Sequence, residues 1–258
     1  MRPYVIIGNW KMHKTIDEAR SFVQGFLSSY KPDECKIIGL AVPYTLIYPL
    51  SQESKEKPLL IGAQNMNDAS EGAFTGEIAG RMLVDAGAQF VLLGHSERRQ
   101  LYGEDDAFIN RKMKQAVNIG LRPIFCIGET EEEFEAQKTH EVLEKQLTEG
   151  LKEIKPDQLR HLMIAYEPVW AIGSGQSASP EIAQKAHHFC REILTKLLGA
   201  EIAGQIAIQY GGSVTPSNAK ELLAQPDIDG LLIGGASLLL DSFLQIVNHS
   251  YSKNQSEG

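Results

Sequence analysis

The chain has no apolar run approaching the ~20 residues that cross a bilayer, so no membrane span is expected. Its three cysteines, Cys35, Cys126 and Cys190, are an odd set without metal-ligand spacing, which favours a reduced compartment over a disulfide framework. No basic cluster exceeds two or three residues and the net charge is −8, a field that disfavours nucleic acid and anionic membrane as partners. No Gly-Lys pair occurs, which removes the phosphate loop of nucleotide hydrolases. The N-terminal MRPYVIIGNWKMH has too short an apolar run for a secretory signal and no small-residue cleavage site, and the Asn-x-Ser triplets at Asn248 and Asn254 read as chance. A cytoplasmic protein is expected. No linker or low-complexity segment divides the chain, so one domain is expected over residues 1–258, with a flexible tail over 250–258.

What is present is a rhythm. Apolar runs recur at Tyr4–Ile7, Lys36–Val42, Leu59–Gly62, Phe90–Leu93, Pro123–Ile127, Leu162–Tyr166, Ile206–Tyr210 and Gly230–Ile233. Helical signals lie between them. Thr15-Ile16-Asp17-Glu18 and Thr130-Glu131-Glu132-Glu133 read as capping boxes. Ser179-Pro180-Glu181 orders a cap, a first-turn proline and an acid. Ile182, Ala186, Phe189, Ile193 and Leu197 then share one helical face up to a stop at Gly199, and Thr215-Pro216 opens another helix. Strands that are continuously apolar between helices predict a parallel sheet covered on both faces. Eight such units in this length suit an α/β (β/α)8 barrel; a doubly wound open sheet is the alternative, because periodicity does not reveal strand order.

In either architecture the chemistry lies beyond the carboxyl ends of the strands. Lys11, by default a solvated charge, gains weight beside a strand-end His95 and Glu167. His95 follows a buried strand and opens a short helix, where the amide dipole disfavours imidazolium. His95-Ser96-Glu97 matches half of a zinc deaminase signature, but no Pro-Cys-x-x-Cys follows, so no metal is expected. Gly173-Ser174-Gly175-Gln176-Ser177-Ala178 is formally a dinucleotide fingerprint. Several residues separate it from the strand and no acid follows at Ile193–Leu198, so no cofactor is expected. Gly211-Gly212-Ser213 and Gly234-Gly235 each follow one of the last two strands. One pair alone reads as turn glycines; both together read as a backbone phosphate site.

These residues fall in motifs. Gly8-Asn9-Trp10-Lys11-Met12, Gly72–Glu77 (GAFTGE), Gly94–Arg98 (GHSER), Ala165–Gly175 (AYEPVWAIGSG), Tyr210–Val214 (YGGSV) and Gly234–Ser237 (GGAS) resemble, in combination and over nearly the whole chain, the triosephosphate isomerase family. The resemblance implies a dimeric barrel that interconverts dihydroxyacetone phosphate and D-glyceraldehyde 3-phosphate in glycolysis and gluconeogenesis, without cofactor. It implies Glu167 as the base, His95 as a neutral electrophile and proton shuttle, Lys11 as an electrostatic partner, Asn9 as a polar neighbour of substrate, and Glu97 as the acid orienting Lys11. Gly173, Ser213, Gly234 and Gly235 would bind phosphate through backbone N–H groups, alongside Asn9 and Lys11. A lid would run from Pro168 through Val169, Trp170, Ala171, Ile172, Gly173, Ser174, Gly175, Gln176 and Ser177 to Ala178, with Tyr210 holding it. Phe74 and Thr75 would plug into a partner copy, Thr75 reaching its Asn9 and Lys11 and Glu77 meeting its Arg98.

The chain departs from the family pattern at Ser174 (usually Thr), Gln176 (commonly Lys) and Ala79 (usually Ser). Leu238-Leu239-Leu240 is unusually apolar and would form a patch if exposed. Two rivals stand beside the isomerase reading. A Schiff-base aldolase needs a strand-end lysine where the sixth strand offers Glu167, and a non-catalytic phosphate-ligand binder has no need of Glu167, His95 and Lys11 together.

Overall fold

The computed structural model describes residues 2–172 and 178–249; the expected tail over 250–258 lies outside them. Eight parallel strands form one closed barrel in chain order: β1 (Tyr4–Asn9), β2 (Lys36–Val42), β3 (Leu60–Ala63), β4 (Phe90–Leu93), β5 (Arg122–Ile127), β6 (Met163–Tyr166), β7 (Ala207–Tyr210) and β8 (Gly230–Ile233). β1 pairs with β2 and also with β8, Val5 standing opposite Gly230. That closure rules out the open sheet. The helices around it are α1 (Ile16–Ser29), α2 (Tyr44–Glu53), α3 (Gly80–Asp85), α4 (Ser96–Tyr102), α5 (Asp106–Asn118), α6 (Glu131–Glu135), α7 (Thr139–Gly150), α8 (Pro180–Leu198), α9 (Ala200–Ala203), α10 (Ala219–Leu223) and α11 (Leu240–Asn248).

The strands alternate between two cores. Val5, Ile7, Phe90, Leu92, Ile124, Cys126 and Ala165 fill the barrel, while Ile6, Val91, Leu93, Phe125, Ile164 and Tyr166 face the helix ring. Neither side meets water, which is why the runs are continuously apolar. Phe90 fits the interior because Gly62 opposes it: a Cβ there would stand 2.5 Å from its ring.

The expected caps form. Glu18 accepts the N–H of Thr15 at 2.8 Å. At α6, Glu133 accepts the N–H of Thr130 (2.8 Å) and the Thr130 hydroxyl accepts that of Glu133 (3.3 Å). Ser179 Oγ accepts the N–H of Ile182, with Pro180 starting α8. Each such cap is worth about 1 kcal/mol.

Two expectations are corrected, and a conditional one is resolved. Ile182 and Leu197 are exposed; the buried face of α8 is Ala183, Ala186, His187, Cys190, Ile193 and Leu194, because small residues let the helix approach the strands. Thr215-Pro216 opens a turn, and α10 starts only after Asn218, whose side-chain oxygen accepts the N–H of Thr215 (2.8 Å). Leu238 and Leu240 pack on the core and leave Leu239 alone exposed, so there is no leucine patch.

Candidate active site

The carboxyl ends of β1, β4, β6, β7 and β8 surround a cavity of about 340 Å³, lined by Asn9, Lys11, His95, Glu167, Ile172, Ser213, Gly234 and Gly235 among others. After β1 the chain turns through Lys11 in the left-handed region (φ 50°), a conformation that costs a non-glycine residue about 1 kcal/mol or more. Two bonds hold it: Asn9 Oδ1 accepts the N–H of Lys11 (3.0 Å), and Gln64 Nε2 donates to its carbonyl (2.9 Å). The turn aims the side chain into the cavity, where Nζ meets Glu97 Oε1 at 2.6 Å.

His95 caps α4. Its Nδ1 accepts the N–H of Glu97 at 3.2 Å, which leaves the proton on Nε2, and Nε2 donates to Glu167 Oε1 at 2.9 Å. Burial pulls the His95 pKa down, but the adjacent carboxylate of Glu167, with Glu97, pushes it up by more, so the net shift is upward. The other oxygen of Glu167 accepts the N–H of Ser96 (2.9 Å). Glu167 is thus buried with one imidazole N–H and one amide as its donors. The slot around it is cut by glycine: a Cβ on Gly211 would fall 2.9 Å from Glu167 Cγ.

Beyond Glu167 and Pro168 a short turn (Val169–Ala171) is anchored on its outer side. The Val169 N–H donates to the Glu129 carbonyl (3.1 Å). Trp170 Nε1 and Tyr166 Oη each donate to Glu129 Oε1 at 2.9 Å, and Trp170 stacks on Phe134 of α6 (centroids 4.2 Å apart). Burial raises the pKa of Glu129 despite these donors. On the inner side the Ala171 carbonyl accepts the N–H of Ser213 (3.1 Å). Gly173, Ser174, Gly175, Gln176 and Ser177 lie outside the described residues. Ala178, the next described residue, donates its N–H to Tyr210 Oη (3.2 Å).

Gly234 and Gly235 line the cavity opposite, and a Cβ on Gly235 would meet nothing within 4 Å, so its backbone faces open space. Among the described residues no group of three or more His, Cys, Asp or Glu could hold a metal, and no helix is long and apolar enough to cross a membrane.

The profile of the triosephosphate isomerase family matches residues 4–250. The chain belongs to the triosephosphate isomerase family. Triosephosphate isomerases of Protochlamydia amoebophila (59% identical, covering 96% of this chain and 93% of that one) and Carboxydothermus hydrogenoformans (50% identical, 97% and 100%) are similar along nearly their whole lengths. That of Chloroflexus aurantiacus is 46% identical over 249 residues.

Against this family frame, Asn9, Lys11, His95, Glu97 and Glu167 come together at one end of the barrel, with Ser213, Gly234 and Gly235 across the cavity. Phe74, Thr75 and Glu77 do not line it. Phe74 is 51% exposed, its ring close to Gly72; Thr75 is exposed; Glu77 accepts from Asn67 Nδ2 (2.8 Å). Arg98 donates to Glu104 of its own chain (2.6 Å). Sequence reasoning assigned nothing to the Ser96 amide, Gln64 or Glu129. An amide carries no residue signature, while the other two act on partners 53 and 41 positions away.

Proposed function

We propose that the chain performs its family's reaction, interconverting dihydroxyacetone phosphate and D-glyceraldehyde 3-phosphate through an enediolate, without metal or cofactor. The observation that carries this reading is the buried Glu167 carboxylate, 2.9 Å from His95 Nε2, on a cavity shared with Lys11 and two glycine-rich strand ends. The reaction moves one proton between adjacent carbons and another between their oxygens. Glu167 is the base for the first. Both its oxygens now accept hydrogen bonds, which weakens a base, so bound substrate has to draw it off Ser96 and His95. Its departure removes the charge that raises the His95 pKa. Burial and the helix N-terminus then keep the imidazole neutral, with the Nε2 proton available to the substrate oxygen. Lys11, oriented by Glu97, offsets the charge that develops there, and Asn9 supplies a polar contact.

Phosphate binds the N–H groups of Ser213, Gly234 and Gly235, with Gly173 from the lid (Pro168–Ala178). The N–H of Ser213 already donates to Ala171, so phosphate at that amide displaces the lid base and links closure to the unreactive end of the substrate. Closure brings Trp170 and Ile172 over the enediolate and excludes water. The active form is a homodimer. A second cavity, of about 390 Å³, adjoins Asn9 and Lys11 beside exposed Met12, Leu101 and Tyr102, and suits the Phe74–Thr75 loop of another copy. The chain is a single-domain, cytoplasmic glycolytic and gluconeogenic enzyme with no nucleic-acid partner.

Turnover of D-glyceraldehyde 3-phosphate, coupled to NADH-dependent reduction of the product, tests the assignment. Wild type should be fast and Glu167→Gln slower by about a thousandfold or more. A wild type that binds a phosphorylated enediolate analogue but does not turn over would make the protein a binder. Borohydride trapping of a substrate adduct would indicate the aldolase.

A further inference from the structure

Gln146 lies on the inward face of α7 between Leu143 and Leu147, where a leucine would pack with no polar group to satisfy. Its amide is used twice on one residue: Oε1 accepts the N–H of Gly128 (2.8 Å), and Nε2 donates to the Gly128 carbonyl (3.2 Å). Gly128 is the first residue beyond β5, and the amide clamps its peptide groups as a neighbouring strand would. What rests on that glycine is the backbone of Glu167, whose N–H donates to the Ile127 carbonyl (2.7 Å) and whose own carbonyl would lie 1.8 Å from a Cβ on Gly128. Residue 128 is thus the floor under the Glu167 backbone from which the carboxylate projects, and a side chain 21 positions before Glu167 pins that floor. A cavity of about 260 Å³ lined by Gln146, Gly128 and Glu167 leaves room for the floor to shift if the pin is lost.

We propose that Gln146 is a positioning residue for the isomerase reaction, holding Gly128 so that the Glu167 carboxylate stays at its working distance. The inference rests on Glu167 being the base. Among the described residues Gln146 bonds to Gly128 and not to the amides of Ser213, Gly234 or Gly235, so its loss acts on the chemical step. Gln146→Leu, close in volume, should lower kcat about tenfold while KM stays within about twofold, since sub-ångström misplacement of a base costs rate before it costs binding. Gln146→Glu supplies the signature that a merely structural role would lack. Protonated, a glutamic acid repeats both bonds; ionised, it keeps the acceptor but turns an oxygen against the Gly128 carbonyl. The ratio of its kcat to that of wild type should therefore rise as pH falls through the titration of residue 146, which faces Glu133 and Glu167 and, of opposite sign, Arg99 across the cavity.

Both variants are assayed as full chains beside wild type, with urea midpoints recorded. An active wild type whose Gln146→Leu variant keeps kcat, or loses it only in step with a rise in KM, would overturn the positioning role. So would a Gln146→Glu pH profile parallel to wild type. An inactive wild type would instead defeat the isomerase reading itself.

Discussion

Asp229 and Glu167 are carboxylates at opposite ends of the barrel, 1% and 2% exposed, and they are held in opposite ways. Asp229 stands just before β8. It accepts from Arg2 Nε (2.8 Å), from Arg191 and from the N–H of Ile208 (3.1 Å). Two guanidinium groups bind it. Glu167 stands just after β6 with an imidazole and one amide as its donors, and no guanidinium or ammonium bonded to it. Burial alone therefore does not separate a structural acid from one proposed to react. The charge of the donors does, because a carboxylate tied to cations is both weakened as a base and costly to move.

The sharpest way to break this contrast is to replace each acid by leucine. Asp229→Leu leaves Arg191 only Asp227, 3.8 Å away, as a counter-charge and should cost roughly 3 kcal/mol in urea unfolding, while folded molecules keep their turnover. Glu167→Leu should change stability by about 1 kcal/mol or less and abolish turnover. Equal stability losses at the two sites would end the distinction.

A smaller effect is expected at His187, a third buried titratable group, packed edge-on against Tyr166 behind β6 (centroids 5.7 Å). Burial pulls its pKa down to about 4, against the opposing charge of Asp229. Between pH 6.5 and about 4 the unfolded chain binds a proton that the folded chain refuses, so stability falls on acidification. The loss reaches roughly 3 kcal/mol, at about 1.4 kcal/mol per pKa unit. His187→Phe keeps the ring and should remove that part of the slope between urea melts at pH 7 and 4.5; parallel slopes would show that His187 does not carry it.

The smallest effect is at α6, which seats Trp170. Thr130→Ala removes one half of the α6 cap and should cost about 1 kcal/mol. Amide exchange in α6, which carries the Phe134 seat of Trp170, should then quicken about fivefold. Unchanged exchange would mean that tertiary packing, not the cap, holds this helix.

Strand positions were legible because barrel strands are apolar on both faces, and every apolar run became a strand within one or two residues, β1 alone running on to Asn9. Ring closure was not legible, since pairing of Val5 with Gly230 leaves no local trace. The buried side of α8 was misjudged because close packing uses alanine, histidine and cysteine there, while Ile182 and Leu197 stay outside. Family motifs brought Lys11, His95 and Glu167 together; they did not reveal that Gln64 steadies the strained Lys11 turn or that Ser96 binds the Glu167 carboxylate. Such bonds join residues made neighbours only by closure of the barrel.

That closure also orders events in time. β1 needs β8 on one edge, and the cavity takes Lys11 from the start of the chain and Gly234 from near its end. A nascent chain leaving the ribosome therefore carries β1 with an unpaired edge until the eighth strand emerges. Every incomplete length offers that edge to other chains, and the final pairing spans the longest sequence separation in the sheet. Catalytic competence arrives all at once, with the last strand made.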